Sequence, residues 1–279
     1  MKSPALLTAL LIGLTAAPLR PAQADIFYSD FSTTNGMTLV GNAAQSGSAL
    51  RFQGPDSAMA GAAWYGAKLA VTAGYESEFT FRMTDVTPED EWGHYPKNGL
   101  TFTIQDRDPL VYHSLVGGAY GYDGITRSTA VAFSPFSDGS HRRTRIRVMR
   151  EGDAYRTEDV YPDWPIPPDL YPDIADGETH TVRLVYDSSG YPTLRVYIDD
   201  MTRPWSSWQY RHPSATDYRS VYVGFTAGNE AGTGIYDILS WRAHGVPEPG
   251  TLALLGATAL GTAVRRAGAR RRPADRAST

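Results

Sequence analysis

The chain is expected to fold as an all-β sandwich of two antiparallel sheets in a single domain. Three observations point there. Apolar residues recur at every second position in many short segments, no long segment shows helical periodicity, and turn residues separate the segments at regular intervals. With 279 residues, 27 Gly, 19 Pro and 11% aromatic residues, the chain has ample material for one large β-sandwich core.

Taken in order, the elements are plain. Phe79, Phe81 and Met83 alternate with Glu78, Thr80 and Arg82, as a half-buried strand requires. The same period runs through Leu100, Phe102 and Ile104, and through Val182, Leu184 and Tyr186. Later strands are expected at 194–198, 221–225 and 235–241. Gly117-Gly118, Asp176-Gly177, Ser189-Gly190 and Gly232-Thr233-Gly234 supply turn chemistry between them. More than ten such strands predict two sheets packed face to face.

Both ends read as processing signals. Lys2, the apolar run Ala5 to Ala17 and the small-x-small pattern Ala22-Gln23-Ala24 form a signal peptide over residues 1–24, cut after Ala24. At the other end, residues 246–279 hold Pro247-Glu248-Pro249, an apolar segment from Thr251 to Val264 and a cluster of arginines. This tripartite layout resembles the PEP-CTERM sorting signal of Gram-negative bacteria. The apolar segment is short for a span of about 20 residues, but snorkelling arginines would hold its end on the cytoplasmic side. The resemblance implies transient association with the inner membrane, cleavage near the motif by an exosortase, and delivery to the cell surface or the exopolysaccharide matrix.

Charge and cysteine content narrow the partners. Of 30 acidic residues only Glu248 and Asp275 lie outside 25–246, whereas eight of the 26 basic residues do, so that region carries a formal net charge of about −10. Such a balance disfavours nucleic acid. The chain has no cysteine. In an exported protein that excludes disulfides and thiol chemistry, leaving stability to the core.

From Asn98 to Val148 the sequence reads NGLTFTIQD, GGAYGYDGI, STAVAF and TRIRV. Together with Leu39-Val40-Gly41-Asn42-Ala43, Ala62-Ala63-Trp64-Tyr65, Val223-Gly224-Phe225-Thr226-Ala227 and Asp237-Ile238-Leu239-Ser240-Trp241, these segments resemble, in order, the L-type (legume-type) lectin domains of bacterial surface proteins. The resemblance covers residues 25–245 and implies a concanavalin-like jelly roll that binds a glycan or exopolysaccharide. It places Asn98 where the family carries a sugar-binding aspartate, Gly117, Gly118 and Tyr120 in the glycine-rich ligand loop, and Asn229 and Glu230 in the last specificity loop. Each of these has a plain structural reading as well, as a turn or hairpin residue.

The same resemblance predicts that no calcium and manganese pair is bound. Where the family has Glu-x-Asp this chain has Ala132-Phe133-Ser134, and where the family has a histidine it has Arg145. A methyl, a hydroxyl and a guanidinium cannot replace carboxylates and imidazole around a hard cation. Arg145 is expected to supply positive charge there instead, with Asp138 as its partner. Asp138 and His141 share the loop and are most simply solvated polars. Trp164, Trp205, Trp208 and Tyr210 lie in expected loops, either as sugar platforms or as pins holding those loops to the sandwich.

Catalysis is the rival class. Laminarinase-like hydrolases share the sandwich but carry acidic residues patterned along one strand. Glu89-Asp90-Glu91 follows Pro88 in a loop and Asp199-Asp200 ends a strand, so both read as solvated turn acids. No nucleophile elbow or zinc-binding helix is present. An exported carbohydrate-binding protein is therefore expected, with a structural or adhesive matrix protein that has lost the sugar site as the alternative. A glycoside hydrolase is the less favoured third.

Overall fold

The alternating segments pair into two sheets in a computed structural model that describes residues 26–53, 59–88, 98–107, 119–137, 142–163, 171–188, 191–209, 219–230 and 232–246. The first sheet runs, edge to edge, β14 (Ser206–Gln209), β13 (Thr193–Ile198), β12 (His180–Asp187), β7 (Gly74–Thr84), β16 (Ile235–Gly245), β4 (Ala49–Gln53) and β3 (Ala43–Ser46), with β1 (Ile26–Tyr28) also on β16. The second runs β11 (Asp153–Val160), β10 (Arg142–Arg150), β9 (Ser128–Ser137), β8 (Gly99–Gln105), β15 (Ser220–Gly228), β5 (Ala60–Tyr65) and β2 (Met37–Gly41), with β6 (Leu69–Ala70) also on β15. The pairings are antiparallel throughout, so the expected all-β sandwich is the one observed.

An aromatic seam joins the sheets. Phe79 of β7 meets Phe225 of β15 edge-on at 5.0 Å between ring centroids, and Phe225 meets Trp241 of β16 edge-on at 5.0 Å. Phe102 and Phe133 close on Phe79 at 6.3 and 6.0 Å. All five rings are at most 1% exposed. The Trp241 indole N–H donates to Ser77 Oγ at 3.1 Å, which satisfies its one polar atom inside the core. Gly224, beside Phe225, is required by close approach: a Cβ there would stand 2.1 Å from the Ala63 carbonyl oxygen.

Two ionic clusters finish the first sheet. Asp237 stands in register between Arg51 and Arg82, receiving Arg51 Nε at 2.7 Å and Arg82 Nη2 at 3.1 Å. Burial pushes its carboxyl up, but the two arginine hydrogen bonds outweigh that and hold it below its ordinary value. His180 sits between Asp199 at 2.9 Å and Asp176 at 3.0 Å, with its ring tilted over Phe81. Asp199, expected as a solvated turn acid, is half of this cluster and also accepts the Thr181 N–H at 2.8 Å.

Two elements depart from the sequence reading. The acidic, proline-rich stretch from Tyr155 to Glu178 reads as a long loop, yet Tyr155 lies in β11, whose polar DAYRTEDV run pairs, among the described residues, along one side and so needs no apolar alternation. Trp208, expected in a loop, is a strand residue of β14 facing Leu194, with the Arg150 guanidinium 5.3 Å from its ring. Trp205 is 6% exposed within the core, so it pins its segment rather than offering a face. Trp164, Tyr210 and residues 89–91 lie outside the described residues.

Truncating Phe79 to alanine is expected to lower unfolding free energy by about 3–5 kcal/mol, read from the denaturant midpoint at unchanged slope. A pH effect is also expected at His180. The hydrogen bond to Asp199, opposed by burial and aided by Asp176, raises its pKa to about 8. A raised histidine contributes stability in full below its unfolded value near 6.5 and loses it as pH climbs through 8. Melting temperature should therefore fall between pH 6.5 and 9, and the slope should flatten in His180→Asn; an equally steep slope in the variant would refute the assignment.

Candidate functional site

The outer face of the second sheet, away from the aromatic seam, is lined with small side chains. In register across the strands, one row reads Ala62, Thr226, Thr101, Ala132 and Arg147, and the next reads Trp64, Gly224, Thr103, Ala130 and Met149. Small residues leave a trough there. The segment 119–125 fills it as a strap, with Ala119, Tyr120, Tyr122 and Ile125 packing on Trp64, Ala130, Ala132 and Met149 as a second core. Gly228 permits the approach, because a Cβ on it would stand 2.4 Å from the Gly121 nitrogen.

The strap is strained and held. Ala119, Tyr120 and Gly121 have φ of 62°, 63° and 65°, a run of left-handed backbone in which the two non-glycine residues carry a cost of about 1–2 kcal/mol each. Three contacts hold it there. The Thr226 hydroxyl, within a chain of hydroxyls linking Thr101 and Thr103, donates to the Tyr120 carbonyl at 2.8 Å. Arg147, only 4% exposed, donates through Nη1 to the Tyr120 hydroxyl and through Nε to Asp159 Oδ1 at 3.0 Å. At the strap's far end the Gly124 N–H donates to the Gly152 carbonyl at 2.7 Å.

Beside the strap, at the rim where β8 begins and β15 ends, three distant stretches meet. Asn98 donates from Nδ2 to the Thr87 carbonyl and accepts the Glu230 N–H at Oδ1, both at 2.9 Å. The Asn229 amide nitrogen donates to Gly228 O at 3.1 Å and to Tyr236 Oη, while its oxygen accepts from Gly234 N at 3.0 Å. Asn98, Asn229 and Tyr120 are fully buried. Their polar atoms hold the rim together, whereas Glu230, at its surface, accepts a 3.2 Å hydrogen bond from the Tyr155 hydroxyl, and Tyr155 is 53% exposed. Of the sequence-predicted sugar residues the structure thus brings together Asn98, Tyr120, Asn229 and Glu230. Gly117, Gly118 and the processing residues Ala24, Pro247, Glu248 and Pro249 lie outside the described residues.

The positions that replace the expected metal ligands do not fit a cation. Ala132 is buried in the apolar second core, Ser134 Oγ faces the Arg145 carbonyl at 3.5 Å, and the Arg145 guanidinium lies 4.2 Å from the centroid of the Phe136 ring. Asp138 and His141 lie outside the described residues. Among the described residues no group of three or more histidine or acidic side chains converges on one point. Sequence reasoning selected Arg145 as the substituting charge but missed Arg147, the more deeply buried cation. The signal was available in the alternation of TRIRV, which places both arginines on one face.

Residues 245–272 match the PEP-CTERM protein-sorting motif, which marks the chain for export with a C-terminal sorting signal. No curated protein matches the sequence. Among solved structures, a lectin from Bauhinia forficata in complex with GalNAc is 18% identical with a TM-score of 0.58, covering 80% of this chain and 97% of that one. Arcelin-5, a lectin-like defence protein from Phaseolus vulgaris, is 21% identical with a TM-score of 0.55, covering 80% and 98%. The carbohydrate recognition domain of Emp46p is 15% identical with a TM-score of 0.52, covering 76% and 89%. The fold is therefore the jelly roll of the legume-type lectins.

Replacing Arg147 with glutamine should cost roughly 2 kcal/mol, since a charge-assisted bond to Tyr120 and the pair with Asp159 are both weakened. Hydrogen exchange of the 119–125 amides should accelerate while β7 and β12 stay protected. Unchanged exchange in the strap would show that Arg147 does not hold it.

Proposed function

We propose that this is an exported, surface- or matrix-associated lectin-like protein that binds carbohydrate, an exopolysaccharide or cell-surface glycan, through Asn98, Gly117, Gly118, Tyr120, Asn229 and Glu230. The observation that carries the reading is the convergence of Asn98, Tyr120, Asn229 and Glu230, far apart in sequence, beside a strap of left-handed backbone held by buried hydrogen bonds. Such strain persists only where its surroundings over-determine it, and it concentrates at ligand sites. In this reading Asn98 and Asn229 fix the loops, while Glu230 and Tyr155 present a carboxylate and an aromatic face to sugar hydroxyls and C–H groups.

Binding proceeds without the calcium and manganese pair, because Arg147 does by fixed charge and hydrogen bonding what a bound cation would otherwise do in ordering the loop. The protein is a binder rather than an enzyme, and its partners in export are a signal peptidase and an exosortase. It is delivered from a Gram-negative cell to the surface or the extracellular matrix. A second reading, a structural or adhesive matrix protein with a degenerate sugar site, is favoured by one observation: the amides of Asn98 and Asn229 are engaged within the protein.

The two readings separate on glycan arrays and exopolysaccharide columns. Carbohydrate binding predicts retention that survives chelator and weakens about tenfold, or about 1.4 kcal/mol, in Glu230→Ala. No retention on any glycan would leave the structural reading. Stoichiometric calcium or manganese in the purified protein would overturn the metal-free mechanism.

A further inference from the structure

The chain holds four asparagines, and two of them precede glycine: Asn35-Gly36 and Asn98-Gly99. That pairing has a chemistry of its own. The backbone nitrogen after an asparagine can attack the side-chain carboxamide carbon, and a glycine there leaves the approach unobstructed because it has no Cβ. The fold treats the two pairs in opposite ways. The Asn98 carboxamide is fully buried and held at both ends, by the Thr87 carbonyl and the Glu230 N–H, each at 2.9 Å. Asn35 and Gly36 are both exposed, in the turn that leads into β2.

Within that turn the backbone is fixed all around the reacting atoms. Met37 N donates to the Thr34 carbonyl at 3.0 Å, and Gly66 N donates to the Gly36 carbonyl at 2.7 Å. The Asn35 N–H donates to Thr33 Oγ1 at 3.2 Å, and the Tyr28 hydroxyl donates to the Asn35 carbonyl at 2.7 Å. The Asn35 carboxamide and the Gly36 N–H are left without a hydrogen bond among the described residues. Those are the two groups that must meet. Bringing them together turns the peptide that joins the two residues, so the Tyr28 bond to its carbonyl has to be given up. Tyr28 is itself anchored, its ring stacked on Phe31 at 5.1 Å and on Trp241 at 6.1 Å.

We propose that Asn35 is a site of non-enzymatic modification, deamidated through attack by the Gly36 nitrogen, and that Tyr28 sets the rate by holding the peptide between them. The step balances with water as the co-reactant. The Gly36 nitrogen loses its proton to base and bonds to Asn35 Cγ, the Cγ–Nδ2 bond breaks, and ammonia leaves with a proton from solvent. Water then opens the cyclic imide at either carbonyl, giving aspartate or isoaspartate, and nothing is oxidised or reduced. Either product adds a negative charge to a region already near −10. Isoaspartate also puts one more methylene into the main chain at the entry to β2.

The test holds the purified protein at neutral and at mildly alkaline pH and reads its peptides by mass spectrometry. The Asn35 peptide is expected to exchange NH for O, faster at the higher pH because the attacking nitrogen must be deprotonated. The Asn98 peptide, which must break two buried hydrogen bonds, should react more slowly by about tenfold or more. In denaturant the two rates should converge. Tyr28→Phe keeps the ring stack and loses only the hydroxyl, so it should speed the reaction at Asn35 by about threefold or more. The assignment is overturned if the folded protein keeps Asn35 intact while the unfolded protein loses it, if the folded protein modifies both asparagines equally fast, if their difference persists in denaturant, or if Tyr28→Phe, shown folded by its melting temperature, reacts no faster than the parent.

Discussion

The organisation of the second sheet's outer face follows from one constraint, the burial of the Arg147 guanidinium. A cation at 4% exposure must be matched by hydrogen-bond acceptors or opposite charge, and a guanidinium brings five donors to satisfy. Asp159 meets it from the neighbouring strand, and the Tyr120 hydroxyl meets it from above. The second contact brings Tyr120 down onto the sheet, and the strap with it. That is possible only because Ala62, Ala130, Ala132 and Gly228 leave the space, so side-chain volume and charge placement are parts of one solution. The rim then inherits its geometry, since the Tyr120 carbonyl is tied to Thr226 and β15 runs from Thr226 directly into Asn229 and Glu230.

Much of the fold was legible because the aromatic seam is written with period two. Phe79 and Phe81, Leu100 and Phe102, and Val223 and Phe225 fall on the inner face wherever their strands are read in register. What could not be read was the part that depends on edges and on contacts between distant segments. Strand β11 is an edge strand with a largely exposed polar sequence, so its pairing with β10 leaves no apolar pattern to find. Trp205 and Trp208 looked alike in sequence, yet one enters the core and the other joins a strand, a difference set by where β14 meets β13.

The grouping of four of these residues was legible, and what their side chains do within it was not. The positions of Asn98, Tyr120, Asn229 and Glu230 were given by resemblance, and the structure does bring them to one region. Their burial was not readable, because it depends on Thr87, Met59 and Tyr236, residues without any mark in the local sequence. An asparagine with its amide held between backbone groups and one offered to solvent have the same letter. Which of the two is present decides whether a side chain positions a loop or contacts a ligand.

The departure from the metal-binding pattern is cooperative rather than a matter of single residues. Ala132 faces Arg147 across the β9–β10 pair, and Ser134 faces Arg145 in the same way. A carboxylate restored at 132 would meet the Arg147 guanidinium before it met any cation, and would compete with Tyr120 for the same donors. A carboxylate at 134 would likewise sit opposite Arg145, whose guanidinium is already committed to the Phe136 ring. The acids that coordinate a metal and the arginines that replace it are thus alternatives built on the same two strand pairs, and each set makes the other unfavourable. Recovering such a metal site would require changing both strands together, which is why fixed positive charge is a stable end point for this sheet.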